Sequence, residues 1–341
     1  MRYKSEISIV LGKLIVLVLV LSSISGCSEN STCRKAPEVA NKASIKIVRW
    51  EQALFAAKDT ASMKKAVDAY PAFSEMFLMR SRFPHDSIMI GQLLKLSTSK
   101  FMDTLNQDVQ KEFGKLEGIS KDLNSAYDYL LHYYPETKVP DLYTLVSGFG
   151  TDLVVTDSMI VLGLDAFLGG KGHYQMSAAQ TPMYIQSRMK PQNIVPSIIL
   201  AQSKNYVEID DDDNTLLASM IQWGKTYYFM ENILPCTPDS LIIGYSPTEM
   251  KEVEDHLDII WGYFVKRKLF FETNNMEVTR FIGERPKVNE IGQKCPGRIG
   301  RYLGWRIVQA YAKEHPELSM KEILENTNAN QIFTESKYRP E

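Results

Sequence analysis

The densest set of oxygen ligands in the chain is Asp210-Asp211-Asp212-Asp213-Asn214. Asp210, Asp212 and Asn214 fall at positions one, three and five of a calcium-binding loop, which also needs glycine at six and glutamate at twelve. Thr215 and Ile221 stand at those two positions, so the calcium reading fails. The run reads instead as the start of a helix, with carboxylates at the positive end of its dipole and Asn214 as N-cap. A second candidate is Leu164-Asp165-Ala166-Phe167-Leu168-Gly169-Gly170-Lys171-Gly172-His173. A phosphate-binding loop would carry glycine five residues before its Gly-Lys pair and Ser or Thr after it, where this chain has Asp165 and Gly172. The glycines turn the chain, and Asp165 and His173 are candidates to line a pocket. The five histidines are His85, His132, His173, His256 and His315. None lies within five residues of another, so no helix bears a local two-histidine metal motif. No G-x-S-x-G nucleophile elbow occurs. No catalytic residue, metal or cofactor is assigned on this reading.

A fourth reactive group is the thiol of Cys27. It follows the basic residues Arg2, Lys4 and Lys13, the apolar run Leu14 to Leu21, and the junction Ile24-Ser25-Gly26. This order is that of a secretory signal peptide, and its end resembles the bacterial lipobox, in which the cysteine is acylated and becomes the first mature residue. The unbroken apolar run is far shorter than the ~20 residues that span hydrocarbon. A single acyl chain binds a membrane marginally and several bind it stably, so the expectation is a body tethered to a membrane surface through Cys27. Removing residues 1 to 26 takes away three basic residues and Glu6, leaving 36 basic against 40 acidic, a net charge of −4. That balance offers no field for nucleic acid. Of the remaining Cys33, Cys236 and Cys295, an odd set that cannot all pair, Cys33 falls in a polar tail, which leaves Cys236 with Cys295 as the candidate bridge. No two are spaced C-x-x-C.

The elements that position these residues follow from periodicity. With 44% hydrophobic residues the chain is globular. Residues 27–43 read as a flexible tether, 44–135 as a helical region, and 136–341 as a second region forming one compact body with it. Ile45, Val48, Leu54 and Phe55 begin a helical face, Pro71 marks a boundary, and Leu116 to Leu131 recur at helical spacing. Leu142–Val146, Leu153–Thr156 and Ser158–Leu164 are short β-branched runs around Gly148 and Gly150 and read as strands of a small sheet. Helices are expected over Thr215 to Met230, Glu249 to Leu269 and Ile299 to Glu314. Within the first, Gly224 is expected to permit close helix packing, and Lys225 to carry its ammonium out to solvent. The fold class is mainly α with a small central sheet, α+β.

Four segments in order, Gly163 to Gly169, Met220-Ile221-Gln222-Trp223-Gly224-Lys225, Leu234-Pro235, and Pro296-Gly297-Arg298-Ile299-Gly300 with Gly304-Trp305, resemble the gliding-motility lipoprotein GldB family of the Bacteroidetes. That family is in turn similar to zincin-type metallopeptidases, in which a helix after a small sheet bears H-E-x-x-H. The resemblance implies that the helix Thr215 to Met230 packs on the sheet of residues 142–164 and presents Met220 and Gly224 where active relatives bear zinc ligands. Zinc cannot be held by these side chains, so the resemblance implies a degenerate zincin-like pseudoenzyme. It further implies an outer-membrane lipoprotein, on the periplasmic face or the cell surface, working through an envelope protein partner. Alternatives are a zinc-dependent peptidase with relocated ligands, and a peptide- or glycan-binding lipoprotein using a remnant cleft. The candidate cleft or partner-binding residues are Asp165, His173, Lys225, Arg298, Arg301 and Trp305. The segment Cys295 to Arg306 is the richest candidate contact surface, because cations at a helix start oppose its dipole; the competing expectation, slightly favoured, is that Trp305 is core and the arginines pair with acidic surface residues.

Overall fold

A computed structural model describes residues 33–40 and 42–340; the leader 1–26 and Cys27 lie outside the described residues. The fold described is that of the unit that begins at residue 35. Its sheet has four strands, β1 (Ile47–Arg49), β2 (Asp141–Leu145), β3 (Leu153–Val155) and β4 (Met159–Gly163), in the order β1-β2-β4-β3. β2 runs parallel to both β1 and β4, with Tyr143 opposite Val48 on one side and Val161 on the other. β3 pairs antiparallel with β4. β4 is buried along its whole length, which is why it reads as an unbroken apolar run without alternation. The edge strand β3 exposes Val154.

The three strands read in the sequence are present. β1 is a correction, since Val48 belongs to a strand and not to the opening of a helix. A three-residue strand is too short to display a period, and its pairing partner lies 95 residues downstream at Leu142. The helix Trp50–Ala56 follows β1 at once and packs on β2. It carries the fully buried Glu51, which accepts from Thr144 Oγ1 at 2.6 Å and pairs with Arg49, so its charge is not left dry. Pro71 occupies the first turn of Pro71–Met76, where a missing N–H costs nothing. The expected helix Glu249 to Leu269 is two helices, Pro247–Asp255 and Leu257–Lys266. The break falls at His256, whose backbone leaves the helical region (φ −128°) while its Nδ1 hydrogen-bonds the carbonyl of Glu252 at 2.9 Å.

The centre of the body is the helix Leu216–Ile233. Its N-cap is Thr215, whose hydroxyl accepts from Ala218 N at 3.1 Å, and not Asn214. Asp213 accepts from Thr215 N at 3.0 Å and Asp210 from Asp212 N at 3.0 Å, so two of the aspartates make turns. Both the position and the packing of this helix depart from the zincin expectation. Its main partner is Ile299–Glu314, the last long helix (the C-terminal helix, though the short helices Met320–Glu325 and Ala329–Glu335 follow it), while the sheet is covered chiefly by Trp50–Ala56 and Ile194–Gln202. The two long helices touch backbone to backbone at Gly224 and Gly304. A Cβ built on Gly224 would lie 2.3 Å from Gly304 O, and one on Gly304 would lie 1.8 Å from Met220 O. Gly224 therefore has the packing role its sequence context implied.

Candidate functional site

The turn that enters the C-terminal helix gathers two buried arginines. Arg298, at φ +63°, is buried and donates from its two terminal nitrogens to Ile243 O and to Gly244 O, the latter at 3.0 Å. It thereby satisfies carbonyls at the end of the short helix Asp239–Ile243. Its guanidinium also lies 5.2 Å above the Tyr245 ring, and the Tyr245 hydroxyl donates to Gly297 O at 2.7 Å. Three residues on, Arg301 is buried as well. It donates from Nε to Ile282 O at 2.6 Å and stacks 3.6 Å over the Trp223 ring, locking the C-terminal helix to the central one.

Both arginines face Glu284, from Arg298 Nε at 3.7 Å and Arg301 Nη1 at 3.4 Å, and Arg188 reaches the same carboxylate at 2.7 Å. Burial raises the pKa of Glu284, but the three guanidiniums, Arg298 foremost, outweigh it and hold the carboxyl below its usual range. Three cations thus share one ionised carboxylate. Beside them lies a cavity of about 140 Å³ lined by Arg188, Arg298 and Gly244 with apolar Met189, Leu200 and Met230. Such a site can attract and orient a negative group. Guanidinium groups do not release protons at neutral pH, so the arginines cannot themselves act as a base or a nucleophile.

Trp305 is fully buried in the helix pair. Its Nε1 donates to Glu231 Oε2 at 3.0 Å, an oxygen that also accepts from Gln309 at 2.6 Å, and its ring lies 5.6 Å from that of Tyr227. Lys225 corrects the expectation of an ammonium in solvent. It is 2% exposed and donates to the carbonyls of Glu208, Leu324 (3.1 Å) and Asn326 (2.8 Å). Burial pushes its pKa down to about 8, against a smaller upward pull from Glu208. Its three donors staple the central helix to the segment before it and to the end of Met320–Glu325.

Asp165 and His173 are not brought together. Asp165 is 1% exposed and its carboxylate accepts from Phe149 N at 2.6 Å and Ser147 N at 3.1 Å, fixing the turn after β2. Burial raises its pKa, against those N–H bonds. His173 is largely exposed, and Asp108 accepts from its backbone N and meets its Nδ1, both at 2.7 Å. Of the six candidates, then, Arg298 and Arg301 converge on one carboxylate, Trp305 lies one turn further along in the core, and the rest are separate. Arg188, Glu284 and Asp108 escaped sequence reading. The first two lie in irregular segments with no period, and Asp108 looks like any helix carboxylate until its distant partner is placed.

Cys236 is disulfide-bonded, as is Cys33, while Cys295 is a buried free thiol, so the bridge between Cys236 and Cys295 is not formed. Among the described residues, no group of three or more His, Cys, Asp and Glu is placed to hold a metal ion, and no helix is long and apolar enough to cross a membrane. No curated protein and no solved structure gives a significant match to the chain. The family model of the gliding motility protein GldB, however, matches residues 32–340, which takes in the central helix pair, the sheet and the arginine cluster together, and the chain belongs to that family.

Proposed function

We propose that this protein is a gliding-motility-type lipoprotein of the cell envelope, held to the outer membrane through acylated Cys27 and acting by binding a protein partner rather than by catalysis. The observation that carries the reading is the family match over residues 32–340. Two features support the non-catalytic part. Asp165 and Lys225, the buried ionisable groups among the candidates that could move a proton, are each held by backbone groups inside the body. In the arginine cluster the one group able to take a proton, Glu284, is held ionised below its usual range by three guanidiniums, which weakens it as a base. The lipobox-like junction before Cys27 supports the anchor.

The test is replacement of Cys27 by Ser in the native host. The variant is expected to lose labelled palmitate and to move from the membrane to the soluble envelope fraction. A variant that stays with membranes in high salt places the anchor elsewhere. Recovery of an envelope complex with the wild-type chain, set against a strain lacking the protein, tests the partner-binding part.

A further inference from the structure

Lys266-Arg267-Lys268 end the helix Leu257–Lys266, and Lys337 and Arg339 lie in the C-terminal tail. Of these five cations, only Lys337 makes an ion pair among the described residues, with Glu314 at 2.7 Å. The whole chain is slightly acidic, at −2, so a set of five cations of which four make no ion pair among the described residues is a local feature. Lys266, Lys337 and Arg339 stand on an open groove of about 850 Å³ between the helix and the tail. Its apolar lining is Trp261, Val265, Phe333 and Tyr338, and no described residue that lines it is acidic.

The groove is preformed. The Trp261 ring packs 5.3 Å from those of both Phe270 and Tyr338. The tail is fixed by Ser336, whose hydroxyl donates to Phe333 O at 2.7 Å and accepts from Tyr338 N at 3.2 Å. Gly262 sits in the lining with nothing within 4 Å of the position of a Cβ, which leaves the floor open. Val265 is 52% exposed there, an apolar side chain without a cover.

We propose that this groove is the partner-binding site of the molecule, and that its occupant is an acidic peptide segment carrying an apolar or aromatic anchor. The assignment rests on the partner-binding reading above and names the chemistry of the partner. An apolar floor with aromatic walls and a cationic rim is the arrangement that seats an amphipathic segment, the anchor giving affinity and the rim giving orientation. A bilayer surface would instead be met by side chains that protrude from a convex face, whereas here the aromatic groups Trp261, Phe333 and Tyr338 are half-buried between helix and tail and Val265 alone of the apolar lining is exposed.

The experiment uses the full chain carrying Cys27→Ser, so that no acyl chain contributes. The probes are a fluorescein-labelled peptide alternating glutamate with leucine and phenylalanine, the same peptide with lysine in place of glutamate, and phosphatidylcholine vesicles with and without phosphatidylglycerol. The glutamate peptide is expected to bind, with affinity that falls as salt rises. The double variant Lys266→Glu with Arg339→Glu, and separately Gly262→Trp, should each weaken it by about tenfold or more. All three positions are exposed, so the fold tolerates these changes. Equal binding of the two peptides, unchanged binding by both variants, or binding only to the anionic vesicles would each overturn the assignment. In the native host, the same groove variants are introduced into the acylated chain beside a complete deletion. If the deletion disrupts the envelope complex and the groove variants do not, the groove assignment alone fails. If the deletion itself leaves the complex intact, it is the functional reading that falls.

Discussion

Replacing Gly304 by Ala tests the helix pair on which the body is built, because two well-known effects oppose each other there. In a helix interior, alanine is favoured over glycine by about 1 kcal/mol, so an unconstrained Gly→Ala change stabilises. At Gly304 the new methyl would lie 1.8 Å from Met220 O and 2.4 Å from Met220 C. Ordinary contact begins at 3.4 Å, so the helices would have to separate by about 1.6 Å. The atoms in the way are backbone, which cannot rotate aside. Separation would also loosen the Trp305–Tyr227 ring contact and the Trp305–Glu231 hydrogen bond, both made by the residue next to Gly304. Overpacking of this kind costs about 1–3 kcal/mol and more when backbone is displaced. The expected net loss is therefore about 0–2 kcal/mol after the helix propensity is subtracted, and more where the backbone is displaced. Gly262→Ala is the internal control, a helical glycine with nothing within 4 Å of the added atom, and it should gain about 0.5–1 kcal/mol. Urea unfolding followed by circular dichroism reads both. If Gly304→Ala shifts the midpoint upward, as Gly262→Ala should, the close backbone contact does not exist and the packing argument is refuted.

Three further outcomes follow from buried polar groups. Lys225→Met removes three donors and leaves the carbonyls of Glu208, Leu324 and Asn326 without them, for a loss of about 2–4 kcal/mol in the same unfolding assay; a loss below about 0.5 kcal/mol would mean that water satisfies them instead. Asp108 desolvates on folding, which raises its pKa, but the backbone N–H and imidazole of His173 win and hold it below its usual 3.8. Its stabilisation is therefore complete above 3.8 and is lost as pH falls through the lower native value, so Asp108→Asn should flatten the acid limb of a stability–pH curve; an unchanged acid limb would remove this pair from the account. Cys295, whose pKa burial pushes up to about 12, should resist iodoacetamide in the native chain and react once unfolded, as mass spectrometry would show; prompt native labelling would contradict its burial.

How much of this was legible in the sequence depends on the distance over which each feature is specified. The helix Ile299–Glu314 was readable to the residue, since its apolar positions recur at three and four, and strands β2 to β4 were readable from β-branched runs around glycines. β1 was not, because three residues show no period and only Leu142 and its neighbours make them a strand. The break at His256 was invisible because the apolar stripe runs through it from Val253 to Ile260. Arg298 and Arg301 stood out for a sound reason, since cations at a helix start are opposed by its dipole. What offsets that opposition lies elsewhere in the chain, in the carbonyls of Ile243 and Gly244, the ring of Trp223 and the carboxylate of Glu284. Lys225 misled for the same reason. A lysine on an apolar helix normally reaches water along its stem, and nothing local reveals that three carbonyls from two other segments wait for it.

The position of the central helix also decides what the face of Met220 and Gly224 can do. Those residues lie one helical turn apart, the spacing at which two imidazoles would grip zinc in H-E-x-x-H, and the resemblance assigned that face to ligands. In this body the same turn is pressed against the C-terminal helix, with Gly224 meeting Gly304 O and Gly304 meeting Met220 O at distances that exclude even a methyl group. A histidine placed at 224 would have no space for its ring, so the pair could not close on a metal and the water it activates. Restoring ligands there would require the two long helices of the core to come apart first. The glycine at 224 is thus part of a helix–helix joint, and its absence of a side chain is what the joint requires. The groove beside Trp261 lies apart from that joint, since none of its lining residues belongs to either of the two long helices.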